Sequence, residues 1–188
     1  MPDVFDVANY ILEISRQESE DGEFELISHM KLQKLVYFCQ GFALALLDKP
    51  LFSEPIEAWE HGPVCPKLYH LLKLYGSSPI TAIIDPDKIS LNYNEKLLVK
   101  MVYDAYAKYS ASMLRKITHE EDPWKNTQIH SSISHEALTK YFQQRIYVNS
   151  RDIPSATDGE KEKYAKILEE AQDNGEIDLS QFCTQMGA

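Results

Sequence analysis

Apolar residues recur at helical spacing through most of the first 145 residues. The clearest case is the segment 28–47, whose apolar side chains follow the i, i+3, i+4, i+7 pattern of one helix face. Ser28 can cap this helix by accepting a backbone N–H, and Phe38 and Leu47 widen the apolar stripe, so we expect a central helix. Gly41 lies within it, where glycine costs about 1 kcal/mol relative to alanine, and indicates the close approach of another element. The apolar positions are Leu32, Leu35, Val36, Cys39, Phe42, Ala43 and Leu46.

Shorter segments repeat the helical period, and one segment is typical of a strand. Residues 54–59 are predicted to be extended, and a second brief strand is expected at 88–91. The acidic stretch 17–25 and the stretch 120–127 are predicted to be loops. Together these patterns predict a mainly α protein, a compact single-domain helical bundle with a small β element. The further predicted helices are 3–15, 62–76, 95–110, 113–119 and 134–144.

The pattern changes at about residue 145. Residues 148–160 resemble a linker, and 160–175 have only a thin apolar face. We therefore predict a compact region at 1–145 and a C-terminal linker and short helix at 146–188. This tail either folds on binding a partner or docks on its own domain, and the sequence leaves both interpretations open.

Composition narrows the function classes. Of the 188 residues, 29 are acidic and 19 are basic, a net charge of −10 that disfavours nucleic acid as a partner. The three cysteines are far apart and form no CxxC pair, which indicates a reducing compartment. The N-terminal residues show neither the basic nor the apolar region of a signal peptide, and no run is long enough for a membrane helix. We expect a cytoplasmic protein that does not contact membranes.

Motifs that carry catalysis or cofactor binding are missing from the sequence. It contains no phosphate-binding glycine loop and no GxSxG nucleophile elbow. His119 and Glu120 lack the second histidine of an HExxH zinc motif, and no two cysteines have the spacing of zinc ligands. Cys39 is expected to pack in the core rather than to react. We therefore predict no catalytic residue, no cofactor and no bound metal.

Two short stretches carry polar and aromatic residues at predicted turns, namely AWEHGPV at 58–64 and THEEDPW at 118–124. The first is predicted to be a strand-to-helix corner, because Gly62 and Pro63 interrupt the pattern. Each tryptophan could simply cover the core at a bend. Alternatively, Trp59, Glu60 and His61 form a contact surface and His119 reaches toward them, since exposed aromatic residues beside charges anchor protein interfaces.

The segment 30–76, MKLQKLVYFCQGFALALLDKPLFSEPIEAWEHGPVCPKLYHLLKLYG, strongly resembles the Panacea domain family. The resemblance continues through 118–124 and 129–142 and so covers about the first 145 residues. It implies a mostly helical antitoxin domain with a small β element, encoded beside a toxin and often carried on prophages. The motif residues that carry it are Lys31, Leu32, Lys34, Leu35, Tyr37, Phe38, Trp59, Gly62, Pro63, Thr118, His119, Pro123 and Trp124.

The resemblance implies an antitoxin that neutralises a co-encoded toxin protein by direct protein–protein binding. One alternative is an adaptor that delivers the toxin to an energy-dependent protease, and another is a metal-dependent enzyme built on Glu60, His61 and His119. Lys31 and Lys34, three residues apart, are predicted to share one polar edge of the central helix. The candidate partner-binding residues are Lys31, Lys34, Tyr37, Trp59, Glu60, His61, Gly62, Pro63, Thr118, His119 and Trp124.

Overall fold

The central element of the fold is a long helix that is apolar on almost every side. A computed structural model describes residues 1–20, 26–81 and 89–148, and Met1–Phe142 forms one compact unit. Of the tail predicted at 146–188, residues 146–148 belong to the end of helix α7, and residues 149–188 lie outside the described residues. The helices are α1 (Val4–Glu20), α2 (His29–Leu46), α3 (Pro66–Leu72, followed by a 3₁₀ turn at Lys73–Tyr75), α4 (Tyr93–Tyr106), α5 (Ala111–His119), α6 (Asp122–Lys125) and α7 (His135–Val148), and the strands are β1 (Glu57–Trp59) and β2 (Gly62–Val64). The prediction of a mainly α fold with a small β element is confirmed.

Helix α2 is buried on all sides by its neighbours. It packs against α1, α3, α4, α5 and β2, as expected for a helix without a continuous polar face. The side chain of Ser28 accepts a hydrogen bond from the backbone N–H of Lys31, so the predicted cap is confirmed. Gly41 permits α7 to approach α2 closely, as its position predicted. A Cβ at this position would overlap the ring of Phe142 in α7. Cys39 is fully buried in this core.

The small sheet is a β-hairpin with an additional extended segment beside it. Strands β1 and β2 are antiparallel, and Ala58 is opposite Pro63. On the other side of β1, the backbone N–H of Ala58 donates to the oxygen of Ser131 at 3.0 Å, and the N–H of His130 donates to the oxygen of Ala58 at 2.7 Å. The chain preceding α7 therefore holds the outer edge of the hairpin.

Two predicted boundaries were wrong because pairing between distant segments decides them. The helix predicted at 62–76 starts only at Pro66, since residues 62–64 pair with β1 as a strand. No strand forms over 89–91, the described part of the second predicted strand. There the N–H of Ser90 donates instead to the carboxylate of Asp6 at 3.0 Å.

Two predicted loops were wrong because local helix signals continue into them. Helix α1 extends to Glu20, into the stretch predicted to be a loop, since glutamate, glutamine and arginine favour helices. The stretch 120–127 contains the short helix α6, with Pro123 in its first turn. Proline is tolerated there because a backbone N–H at that position would have no partner within the helix. This short helix orients Trp124 toward the hairpin.

Candidate functional site

The turn of the β-hairpin lies directly over a buried lysine. Gly62 has φ +95°, a conformation that disfavours any residue with a side chain. A Cβ on Gly62 would lie 2.8 Å from Nζ of Lys34 and 2.9 Å from Oγ1 of Thr118. Glu60 and His61 remain exposed in the turn. The stretch AWEHGPV is therefore a tight hairpin followed by a helix, and the prediction of a strand-to-helix corner is corrected accordingly.

Lys34 is a core residue, so the prediction that it lies on a polar edge was wrong. Its side chain is only 1% exposed, and its Nζ donates a hydrogen bond of 3.0 Å to the backbone oxygen of Pro63. Burial, and then the charge of Arg115, lower its pKa to about 7. The β-hairpin covers Lys34, and the helical periodicity of α2 cannot predict a contact with a distant segment. Lys31 is half-buried and instead donates to the backbone oxygen of Ala107 at the end of α4.

Tyr37 anchors α6 to the central helix. It is fully buried, and its hydroxyl donates a hydrogen bond of 2.7 Å to Oε2 of Glu121, which is 1% exposed. Glu121 immediately precedes α6, so this contact joins the start of the short helix to α2. The sequence indicated Tyr37 but not its carboxylate partner.

The two tryptophans of the sequence are joined by a direct hydrogen bond. The indole Nε1 of Trp124 donates to the backbone oxygen of Trp59 at 2.9 Å. The ring of His119 stacks on Trp124 with centroids 4.0 Å apart and planes 10° apart. Trp59 in turn packs beside Tyr69, with ring centroids 4.8 Å apart, and donates to Glu57 at 2.8 Å. Both indoles are half-buried, so each retains an exposed portion. We call this surface, formed by residues 59–62, 118–119 and 124, the aromatic corner.

His119 is the ionisable group that the aromatic corner perturbs. Burial lowers its pKa first, and Arg115, Lys34 and His61 lower it further, while Glu120 acts in the opposite direction. The Nε2 atom of His119 is buried and has no hydrogen-bond partner within the part of the chain that the structure describes. The imidazole is therefore held by stacking, while one of its nitrogens remains unpaired.

The structure brings together the predicted residues of α2, the hairpin and the segment 118–124, except Lys31. The sequence did not indicate that Gln33 has a role at this site. Its Oε1 accepts from the N–H of Cys65 at 2.8 Å and positions the chain after β2. The sequence also did not indicate Arg115, because single exposed arginines are common in short helices and only the tertiary structure shows its neighbours. Across residues 1–20, 26–81 and 89–148, no three histidine, cysteine, aspartate or glutamate side chains are grouped to hold a metal ion.

The family model described as "Antitoxin SocA-like, Panacea domain" matches residues 32–125 of the chain, half of its length. This chain belongs to that family. The matched range of this Panacea protein contains every candidate site residue except Lys31. "Antitoxin SocA" from Caulobacter vibrioides (strain NA1000 / CB15N) is 42% identical to it over 50 residues, which are 27% of each chain. The similarity thus spans about a quarter of that relative's length. No solved structure matches significantly, and no helix of the described segments is long and apolar enough to cross a membrane.

Proposed function

We propose that this Panacea protein is an antitoxin that neutralises a co-encoded toxin by direct protein–protein binding. Family membership and the name of the similar protein support an antitoxin role. The aromatic corner supports direct binding, since half-exposed tryptophan rings are the residue type most enriched at the centres of protein interfaces.

The observation that carries the proposal is the way in which the aromatic corner is held. Three segments that are distant in sequence meet there through the Trp124–Trp59 bond, the Tyr37–Glu121 bond and the Lys34–Pro63 bond. All three contacts lie beneath or beside the exposed surface and hold it in one arrangement. A surface that is ordered before binding loses little conformational entropy when a partner docks, which favours high affinity.

The test is co-expression with the product of the adjacent gene. We expect that gene to arrest growth when expressed alone, and the arrest to be relieved by this protein with formation of a complex that co-elutes in size-exclusion chromatography. The double variant Glu60→Ala/His61→Ala changes only exposed side chains and should weaken the complex without unfolding the protein. Lys140→Ala, at an exposed position on α7, serves as the control. Persistent arrest together with no co-elution would refute the proposal.

Delivery of the toxin to a protease makes a different prediction. In a host that lacks its energy-dependent proteases, occlusion by direct binding should still relieve the arrest, and the toxin level should stay constant. If binding survives while the relief of arrest disappears, the protein acts as an adaptor instead.

A further inference from the structure

We propose that the outer face of α3 and its 3₁₀ turn is a docking surface for an acidic amphipathic helix of the partner protein. We call this surface, formed by Lys67, His70, Leu71, Lys73 and Leu74, the α3 face. The inference rests on the proposed antitoxin function only for the identity of the partner. It concerns where the partner docks beside the aromatic corner and which chemistry it presents there, and neither the family nor the similar protein specifies these.

Helix α3 and its 3₁₀ turn carry leucines on two faces, although only one of them faces the core. Leu68 and Leu72 are buried. Leu71 is 48% exposed, and Leu74 in the 3₁₀ turn is 91% exposed. Residues three positions apart on a helix are surface neighbours, so these two side chains form one apolar patch rather than two scattered positions. Contiguous exposed apolar side chains typically mark a site of interaction, because their contact with water is unfavourable.

The charged side chains of the α3 face are lysines. Residues 61–84 contain no aspartate or glutamate, although the whole chain has 29 such residues among 188. Nζ of Lys67 already contacts Asp3 at 2.9 Å and Glu54 at 2.6 Å. Lys73 is exposed beside the two leucines and forms no ion pair with an acid in the part of the chain that the structure describes. A cation beside an apolar patch is complementary to a segment that combines apolar side chains with carboxylates.

Tyr69 connects the α3 face to the aromatic corner. The centroid of its ring lies 4.8 Å from that of Trp59 and 5.8 Å from that of His70. Tyr69 and Trp59 are half-buried, and His70 is exposed. One partner can therefore contact both surfaces at once, and the α3 face extends the surface on which the proposed binding takes place.

The spacing of the α3 face favours a helix as the docking element. Four of its residues, at positions 67, 70, 71 and 74, follow the i, i+3, i+4, i+7 pattern of a single helical stripe. The side-chain ridges of one helix pack into the grooves of another, and bound helices commonly use apolar anchors at this same spacing. Carboxylates that flank such anchors are then placed to pair with Lys73.

Two other occupants fit the α3 face less well. A two-fold interface is formed by the same patch of both subunits, so a second copy of this chain would bring lysines toward lysines. An anionic membrane presents negative charge to a large part of a protein whose net charge is −10. A single acidic helix instead meets mainly the local charge of the face, because salt screens more distant charges.

The experiment is a titration of the full-length protein that follows the NMR signals of the Leu71 and Leu74 methyl groups. The probe is a designed peptide of about 18 residues, long enough to form a helix, with leucines at i, i+3, i+4 and i+7 and glutamates on its flanks. The comparisons are a peptide with lysine in place of each glutamate, a peptide of the same composition in scrambled order, and vesicles of anionic phospholipid. We expect saturable shifts of both leucine signals with the glutamate peptide and weaker binding of every comparison.

Variants separate the apolar from the charged contribution. Leu74→Ser should weaken binding about tenfold or more, since the complex buries this side chain. Tyr93→Ser, at a position on α4 that is 46% exposed, should have no such effect. Lys73→Glu should weaken binding of the glutamate peptide and strengthen binding of the lysine peptide, and a gain of binding cannot result from unfolding. Lys140→Glu makes the same charge change at an exposed position on α7 and should not reverse the preference.

Shifts that do not saturate, equal affinities for the glutamate and lysine peptides, or binding that Leu74→Ser leaves unchanged would overturn the inference. Leucine signals that shift with protein concentration alone would assign the α3 face to a second copy, and tighter binding to the vesicles would assign it to a membrane.

The titration needs no toxin, so its failure can be separated from failure of the antitoxin proposal. In the co-expression test, Leu74→Ser should weaken the complex with the product of the adjacent gene. If that complex forms and Leu74→Ser leaves it intact, only the α3 face is refuted. If the glutamate peptide binds while no complex with that product forms, only the antitoxin proposal is refuted.

Discussion

The indole nitrogen of Trp124 donates a hydrogen bond of 2.9 Å to the backbone oxygen of Trp59, across 65 residues of sequence. This single contact joins the two tryptophan-containing stretches and orients the stacked His119–Trp124 pair against the hairpin. It is one of the three contacts that hold the aromatic corner, beside the Tyr37–Glu121 and Lys34–Pro63 bonds.

Trp124→Phe keeps an aromatic ring beside His119 but removes the donor. We expect the free energy of unfolding to fall by about 1 kcal/mol, in line with the net contribution of one hydrogen bond, plus the loss of indole packing. Urea denaturation followed by circular dichroism measures it. Lys140→Ala, at an exposed position on α7, is the control. A Trp124→Phe variant that is as stable as the native protein would contradict the role of this bond in holding the corner.

Tyr37→Phe removes one hydroxyl from the buried contact with Glu121. Because hydrogen bonds to charged groups are worth about 1.5–3 kcal/mol, we expect a loss of about that size. Denaturation of Tyr37→Phe, Glu121→Gln and the double variant forms a thermodynamic cycle. A coupling energy near zero between the two positions would contradict the assignment of this bond as the anchor of α6.

Gly62→Ala tests both the backbone and the space under the hairpin. The positive φ alone costs an alanine about 1–2 kcal/mol, and contact with Lys34 and Thr118 adds to this cost. Gly76→Ala is the matched control, because Gly76 has φ +54° but a Cβ added there would meet no atom within 4 Å. We expect Gly62→Ala to lower the midpoint of urea unfolding clearly more than Gly76→Ala. Equal losses would mean that only backbone strain matters at Gly62.

Lys34→Met tests the electrostatic cost of the buried lysine. The folded pKa of Lys34 is about 7, whereas a lysine in an unfolded chain has a pKa of about 10.4. Between these values the unfolded chain binds more protons than the folded protein, so this group makes the free energy of unfolding rise with pH from about 7 to about 10.4. Below about pH 7 both states are protonated, and the folded protein bears the full cost of burying the charge.

In Lys34→Met that rise should disappear. The difference between the variant and the native protein should change by a few kcal/mol across the window, since one pKa unit corresponds to about 1.4 kcal/mol. Loss of the bond to Pro63 offsets part of the gain at low pH. Urea unfolding between about pH 6 and about pH 9.5 measures both profiles, with Lys140→Met as the exposed control. Parallel profiles for Lys34→Met and the native protein would contradict the lowered pKa.

The sequence alone was sufficient for the central helix and the helical fold class. The signals that define α2 all lie within fewer than 20 neighbouring residues. They are its apolar positions, the Ser28 cap and Gly41. Local periodicity and capping act between residues close in sequence, so a single sequence contains that information. The same local signals predicted the start of α3 too early. Two prolines after Gly62 favoured a helix start there, but residues 62–64 pair with β1 as a strand instead.

Only the tertiary structure decided what the aromatic corner is. The sequence pattern places Lys34 on the polar side of a helix, yet the β-hairpin buries it. No residue near Lys34 in the sequence predicts this burial. The partners Glu121 and Arg115 come from segments about 80 residues away from Tyr37 and Lys34. The sequence by itself therefore determined which residues form the helices and where the unusual side chains lie. The tertiary structure determined which of them share a surface, because hydrogen bonding and charge act through space between residues that the chain keeps far apart.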